Sequence, residues 1–149
     1  MQLRTAEPKD LDALVSLMRA FSEEVLAPLS LSHIREALEP LLQDSSIGDV
    51  WVAEDTEIVG YLVITWGWGI ESGGKEALID EIYISPNYRN QGLASALVTA
   101  SLDRARDIGT KAVFLETEAD NPGSRALYER LGFATESSVW MRALLEADD

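Results

Sequence analysis

Hydrophobic residues along this chain follow two periods, one typical of helices and one typical of strands. Apolar residues that recur every three or four positions indicate helices with one buried face. Pro28 closes the first of these segments, and Pro40 should kink the second or end its first part near Glu39. Gly109 lies where a C-terminal glycine cap belongs. The pattern predicts helices at about residues 8–28, from residue 30 or 32 to 41, 91–108 and 121–131.

Shorter runs rich in β-branched and aromatic residues indicate strands, and turn residues separate them. These strands are expected at about residues 2–6, 50–54, 58–68, 77–84, 112–117, 133–135 and 139–145. The resulting order, β-α-α-β-β-β-α-β-α-β-β, predicts an α/β fold with a mixed sheet and helices on both faces. No repeat or linker is visible, so residues 1–149 are expected to form a single domain.

The chain is strongly acidic, with 26 acidic against 12 basic residues and a formal net charge of −14. Such a charge repels nucleic acid and anionic membranes, so neither is expected as a partner. The same charge attracts cations. It fits an ordinary soluble surface and it also fits a cationic amine substrate, and both interpretations stay open.

Other features of the composition narrow the location and the chemistry. No apolar run is long enough to span a bilayer, and the first residues lack the apolar core of a signal peptide. A cytoplasmic location is therefore the simplest expectation. Because there is no cysteine and His33 is the only histidine, we expect no thiolate nucleophile and no metal site.

The segment that follows the predicted strand 77–84 has the properties of a phosphate-binding loop. A helix start concentrates unpaired amide donors and the positive end of the helix dipole, which together can hold a pyrophosphate. Gly92 removes a side chain where an anion would need close approach to the backbone, and Ala94 keeps the entrance open. A short glycine pattern is also common in ordinary turns, so the loop by itself is a weak indication.

Three segments in order resemble one family, the GNAT (GCN5-related) N-acetyltransferases, which bind acetyl-CoA. The resemblance covers nearly the whole chain. It implies that the central strands diverge and that the protein is an acetyl-CoA-dependent N-acetyltransferase. The matching segments are Arg4-x-Ala6-x-x-x-Asp10-Leu11-x-x-Leu14, Arg89-x-x-Gly92-x-Ala94, and Leu115-Glu116 with Asn121 and Ala126-Leu127-Tyr128-Glu129-x-Leu131-Gly132-Phe133.

The resemblance also implies which residues hold the acyl donor. Asn90 stands where the family often has glycine, but asparagine tolerates unusual backbone angles. Asn121 matches a position that contacts the coenzyme arm and is equally suited to cap a helix. The implied contacts are strand pairing of the pantetheine arm with Ile82, Tyr83 and Ile84, pyrophosphate bonds from amides of Asn90, Gln91, Gly92, Leu93, Ala94 and Ser95, and charge neutralisation by Arg89 and Arg125.

The reaction needs a group that accepts a proton and a group that donates one. An alkyl ammonium with a pKa of about 10 must lose a proton before it attacks a thioester, and the departing thiolate must be stabilised. By resemblance, Tyr128 is the candidate acid in a direct attack within a ternary complex. Candidate bases are Asp80 and Glu81, which alternation would point to opposite faces, and after them Glu116.

The acceptor pocket of the family is formed by the first two helices, their connecting loop and nearby strand ends. Three functions stay open: an enzyme that acetylates a small cationic amine, a protein N-terminal or lysine acetyltransferase, and a non-catalytic acyl-CoA-binding regulatory domain. A homodimer also stays open. The candidate acceptor residues are Phe21, Glu24, Trp66 and Trp68.

Overall fold

A five-stranded mixed sheet forms the centre of the computed structural model, which describes residues 1–117 and 121–146. The strands lie in the order β1-β2-β3-β4-β5. The first four are antiparallel neighbours, and β5 runs parallel to β4. Their bounds are β1 (Gln2–Thr5), β2 (Gly48–Glu54), β3 (Ile58–Gly69), β4 (Gly74–Ile84) and β5 (Ala112–Leu115).

Helices cover both faces of this sheet, which confirms the predicted fold class. The first two pack on one face, around Leu14, Ile34 and Tyr61, and the third packs on the other, around Leu97 and Ile79. None of the described helices is long and apolar enough to cross a membrane. The helices are α1 (Leu11–Glu24), α2 (Leu31–Gln43), α3 (Leu93–Asp107) and α4 (Pro122–Arg130), with short 3₁₀ turns at Pro8–Asp10 and Pro86–Tyr88.

Capping contacts confirm two of the predicted helix ends, whereas α1 ends at Glu24, before the predicted end at Pro28. The Ser30 hydroxyl accepts a hydrogen bond from the His33 N–H at 3.1 Å, which starts α2. Gly109 adopts a φ of +84° directly after α3, as a C-terminal cap requires. Of the two alternatives predicted for Pro40, a kink or an end of the helix near Glu39, the end is wrong, because α2 continues to Gln43. Pro40 lies in the last turn, so little of the helical hydrogen bonding is lost there.

The two closing strands predicted at 133–135 and 139–145 are also wrong. Residues 133–145 form no strand, and their apolar side chains are largely exposed: Val139 is 85% exposed, Trp140 67% and Met141 90%. A strand needs a partner as well as an apolar run, and that pairing is not encoded in the local pattern. Among the described residues, the outer edge of β5 therefore has no neighbouring strand.

An ion-pair network fixes β1 to the start of the first helix. The Arg4 guanidinium donates to Asp10 at 2.8 Å and to Glu54 of β2 at 3.1 Å. The Asp10 carboxylate also accepts the Glu7 N–H at 2.8 Å. The hydrogen bond from Arg4 is the main cause of a pKa of Asp10 below its ordinary value.

A β-bulge in β4 shapes the centre of the sheet. Val63 of β3 lies opposite Glu81 whereas the next residue, Ile64, lies opposite Ile79, so Asp80 is one extra residue on β4. The bulge shifts the alternation of side chains along β4. As a result Ile79 and Ile82 both face α3, although three positions separate them.

An opening lies between β4 and β5 beyond this bulge. The parallel pairing of the two strands ends at Ile79 and Leu115, yet β4 continues to Ile84. From Asp80 onward β4 thus remains paired with β3 on one side and has no strand partner among the described residues on the other. The family resemblance implied diverging strands at this place.

Candidate active site

Backbone groups of β4 point into the opening. The Ser85 N–H donates to the Val59 carbonyl of β3 at 2.8 Å, so in an antiparallel ladder the groups of Ile84 and Ile82 point to the opposite edge. The Ile84 carbonyl is already bonded there, since it accepts from Arg89 Nε at 2.8 Å. The N–H and carbonyl of Ile82 and the N–H of Ile84 can therefore pair with an extended chain laid in the opening.

The loop between β4 and α3 presents further donors. Gly92 has a φ of +80° and caps α3 without a side-chain hydrogen bond, and Asn90 has a φ of +62°. The first helical bond is donated by the Ala96 N–H to the Gly92 carbonyl at 3.0 Å, so the amides of Leu93 to Ser95 have no acceptor within the helix. A Cβ built on Gly92 would meet no atom within 4 Å. These features suit an anion; contact with a pyrophosphate stays a prediction.

Arg89 and Glu24, which were predicted to bind different molecules, contact each other. The guanidinium of Arg89 bonds both carboxylate oxygens of Glu24 at 2.8 Å, and this hydrogen bonding lowers the pKa of Glu24. The same guanidinium lies 5.4 Å from the centre of the Tyr83 ring. Arg89 thus connects the loop before α3 with the end of α1.

An aromatic cluster lies on the α1 face of the sheet beside this ion pair. The ring of Tyr83 is 5.8 Å from that of Phe21 and 6.1 Å from that of Tyr61. Of the predicted acceptor residues, Phe21 and Glu24 therefore lie together near Tyr83.

Glu81 is held by a residue that the sequence analysis missed. The Tyr61 hydroxyl donates to Glu81 Oε1 at 2.7 Å, and Tyr61 is fully buried. Burial is the main cause of a pKa of Glu81 above its ordinary value, with a further contribution from the charge of Asp80. The signal was a polar aromatic residue inside an otherwise apolar strand, but only the register of β3 and β4 brings the two side chains together.

Asp80 and Glu116 line a cleft of about 460 Å³ on the β5 side of the opening. Trp140, Met141 and Arg142 form the remaining part of its wall together with β4 residues. Asp80 reaches solvent, but the protein around its carboxyl still desolvates it and raises its pKa. The bulge and the end of β5 thus bring two of the three candidate bases to one cleft.

Tyr128 lies half-buried on α4. Its ring meets that of Phe133 edge-on at 6.0 Å, and burial raises the pKa of its phenol. Within the described part of the chain its hydroxyl makes no hydrogen bond. It lines a broad groove together with Glu116 and Arg125. At the start of the same helix the Asn121 side chain accepts the Ser124 N–H at 3.2 Å, so Asn121 is the helix cap; its contact with coenzyme stays a prediction.

Trp66 and Trp68 lie at the other end of β3. Trp68 is opposite Lys75 and 74% exposed, while the indole N–H of Trp66 donates to the Ser45 carbonyl at 3.0 Å. Both line the far part of the groove that contains Tyr128. The structure does not bring them together with Phe21 and Glu24, so the predicted acceptor residues lie in two places, and their contact with an acceptor stays a prediction. In residues 1–117 and 121–146 there is also no cluster of three metal-ligating side chains.

Comparison with known proteins gives consistent matches. A sequence model of the Acetyltransferase (GNAT) family matches residues 12–133. The crystal structure of integron cassette protein HFX_CASS3, from the mobile metagenome of Cole Harbour Salt Marsh, is similar with a TM-score of 0.88. That protein is 32% identical in sequence, and the alignment covers 99% of this chain and 92% of that chain.

Two curated proteins extend the comparison. YhfO of Bacillus subtilis (strain 168), an uncharacterized N-acetyltransferase, is 24% identical over 133 residues, which are 89% of each chain. N-alpha-acetyltransferase 30 of Schizosaccharomyces pombe is 48% identical over 50 residues, 34% of this chain and 33% of the yeast protein. In several other curated relatives, too, the match spans less than half of the relative's length.

Proposed function

Because the chain belongs to the GNAT family of acetyltransferases, we propose that it transfers an acetyl group from acetyl-CoA to the primary amine of a small cationic molecule. The observation that carries this proposal is the edge of β4 that has no strand partner among the described residues, next to the start of α3, whose first amides donate to no side-chain cap. The edge of β4 offers strand-like pairing, and the start of α3 offers amides without acceptors in the helix. Together they match a ligand that has an extended amide-containing arm and a diphosphate.

The residues present fit acetyl-CoA as the donor. Ile82 and Ile84 have backbone groups that would pair with the pantetheine arm, and the amides of Leu93, Ala94 and Ser95 would bind the diphosphate. Gly92 leaves open space where the phosphates must approach. When bound, acetyl-CoA supplies a thioester whose acyl carbon is the target of the amine.

The acidic side chains have two tasks in this proposal. They attract the cationic acceptor, and one of them receives its proton. A solvated carboxylate with a pKa of about 4 is a weak base for an ammonium group. Desolvation by the surrounding protein raises the pKa of both Asp80 and Glu81, which brings these pKa values closer to that of the amine. Glu116 at the end of β5 is the third candidate.

Tyr128 serves as the acid in this scheme. Its phenol is protonated at neutral pH, since its ordinary pKa is about 10 and burial raises that pKa further. A coenzyme thiol has a pKa near that of cysteine, about 8.5, so its thiolate is a suitable partner for a hydrogen bond or proton from a phenol. No described residue forms a hydrogen bond with the hydroxyl of Tyr128, which leaves this hydroxyl available to the thiolate.

A protein N-terminal or lysine acetyltransferase is the second candidate. The observation in its favour is the 48% identity with N-alpha-acetyltransferase 30, although it covers only 50 residues. Net charge does not separate the two, since basic peptides are also attracted by a charge of −14. A regulatory domain without turnover is the third, and the presence of Tyr128 beside the groove argues against it.

A thiol-release assay with acetyl-CoA tests the proposal. We expect turnover with diamines, polyamines or amino sugars and little with peptides that carry a free N-terminus or lysine. Acetyl-CoA hydrolysis without amine provides the background rate. Turnover with peptides alone would support the second candidate instead. Binding of acetyl-CoA with no turnover on any amine would refute the enzyme and support the regulatory domain.

A further inference from the structure

We propose that Tyr61 is a positioning residue, whose hydroxyl holds the Glu81 carboxylate so that its second oxygen binds the ammonium group of the acceptor. This inference rests on the proposed function and adds a specific role for two residues to it. The Tyr61 hydroxyl donates to Glu81 Oε1 at 2.7 Å. Glu81 Oε2 receives no hydrogen bond from residues 1–117 or 121–146, so one oxygen is fixed and the other is available.

The position of Tyr61 makes this hydrogen bond rigid. Tyr61 is fully buried in the cluster that α1 and α2 form on the sheet, and its ring packs near that of Tyr83. A side chain packed in this way has little freedom to turn, so it limits the rotation of the carboxylate it contacts. Glu81 itself is only partly buried, and it lies on the section of β4 that borders the opening.

The choice of a tyrosine in this core also needs an explanation. A buried hydroxyl is costly unless it is hydrogen-bonded, and phenylalanine would fill the same space without that cost. Here the hydroxyl is bonded to a carboxylate, and a donor favours the ionised form of a carboxylate. Tyr61 thus opposes the effect of burial, which alone would tend to protonate Glu81.

The charged and titratable groups around Glu81 are few. Tyr61 faces it from β3 and Asp80 precedes it on β4. Glu24 of α1 and Arg89 lie further away, beside the ring of Tyr83, and their charges neutralise each other. Helices α1 and α2 contribute apolar side chains to the cluster around Tyr61. A change in the titration of Glu81 therefore reports mainly on Tyr61 and Asp80.

The test compares Tyr61→Phe, Glu81→Gln and the double variant, with Tyr88→Phe as the matched control. Tyr88→Phe also removes one phenolic hydroxyl, which donates to Asp55 at 3.3 Å on the exposed surface. For Tyr61→Phe we expect kcat/KM for the amine to fall about tenfold, the effect of one hydrogen bond to a charged group. The KM for acetyl-CoA should stay within about twofold of wild type, because the substitution alters no residue proposed to contact acetyl-CoA.

The pH dependence distinguishes positioning from a structural role. Loss of the donor raises the pKa of Glu81, so the acidic limb of kcat/KM should move to higher pH in Tyr61→Phe. Glu81→Gln should lose that limb, and adding Tyr61→Phe to it should have no further effect on the amine. Tyr88→Phe should keep the wild-type profile.

Several results would overturn the inference. Wild-type amine kinetics in either Tyr61→Phe or Glu81→Gln would do so, and so would an equal loss from Tyr61→Phe in the presence and absence of Glu81. If Tyr61→Phe does not fold, Glu81→Gln alone tests the inference. An acidic limb of kcat/KM that stays as in wild type would then overturn it. If the wild-type protein acetylates no amine, the proposed function fails as well. Normal turnover with unaffected variants would refute only the role of Tyr61.

Discussion

Replacing Gly92 with alanine separates the stability of the loop before α3 from the phosphate binding proposed for it. Gly92 has a φ of +80°, and a side chain at such an angle costs roughly 1 kcal/mol. A Cβ at this position would meet no protein atom within 4 Å, so the substitution causes no clash in the free protein. The folded state should therefore lose about 1 kcal/mol, which is a fall of about 2–4 °C in Tm.

Gly109 provides a matched control at the other end of the same helix. Its φ is +84°, and a Cβ there would also meet nothing within 4 Å. Gly109→Ala should therefore cost the same stability as Gly92→Ala. The two variants differ in what lies outside the protein: only Gly92 faces the proposed diphosphate.

Calorimetric titration with CoA measures the difference. In Gly92→Ala the new methyl group keeps phosphate oxygens away from the amides of α3, which removes one or two charge-assisted hydrogen bonds. At about 1.5–3 kcal/mol each, this loss weakens binding by at least about tenfold. Gly109→Ala should bind CoA as wild type does. Equal affinities in the two variants would refute the assignment of the diphosphate to this loop.

Two further predictions concern the acid and the fold. Tyr128→Phe should lower kcat by about a hundredfold while acetyl-CoA affinity changes little, and an unchanged kcat would remove the acid role. Asp10→Asn should lower the free energy of unfolding by about 2 kcal/mol at pH 7, since it weakens the hydrogen bonds from Arg4. Because the pKa of Asp10 is lowered in the folded state, its contribution is present above its ordinary pKa of about 4 and disappears as the pH falls through the lowered value. Denaturant unfolding should therefore show a difference between the two proteins that narrows in acid, and a difference that is the same at pH 7 and pH 3 would contradict this explanation.

The features that the sequence predicted well depend on neighbouring residues. Ser30 and Gly109 mark helix ends because their capping bonds reach only a few positions along the chain. The start of α3 at Gly92 is local in the same sense. Strands β2, β3 and β4 follow one another through short turns, so each was predicted within a few residues of its observed bounds.

The features that were not predicted depend on pairing between distant residues. Glu24 and Arg89 are 65 positions apart, and no local pattern indicates that they bond. The bond between Tyr61 and Glu81 requires the register of β3 and β4, including the bulge. The predicted strands after Phe133 failed for a related reason, since their apolar residues fit a strand but have no partner in the structure.

The bulge at Asp80 determines where β4 can change in length without changing its faces. Side chains of a strand alternate between two faces, so the loss of a residue after the bulge would exchange the faces of the rest of β4, whereas the loss of Asp80 itself would only remove the bulge. Loss of Ile82, for example, would turn Tyr83 towards the apolar surface of α3 and Ile84 away from it. Side chains along this strand can therefore be replaced one at a time, whereas single-codon deletions between Glu81 and Ile84 should be eliminated by selection.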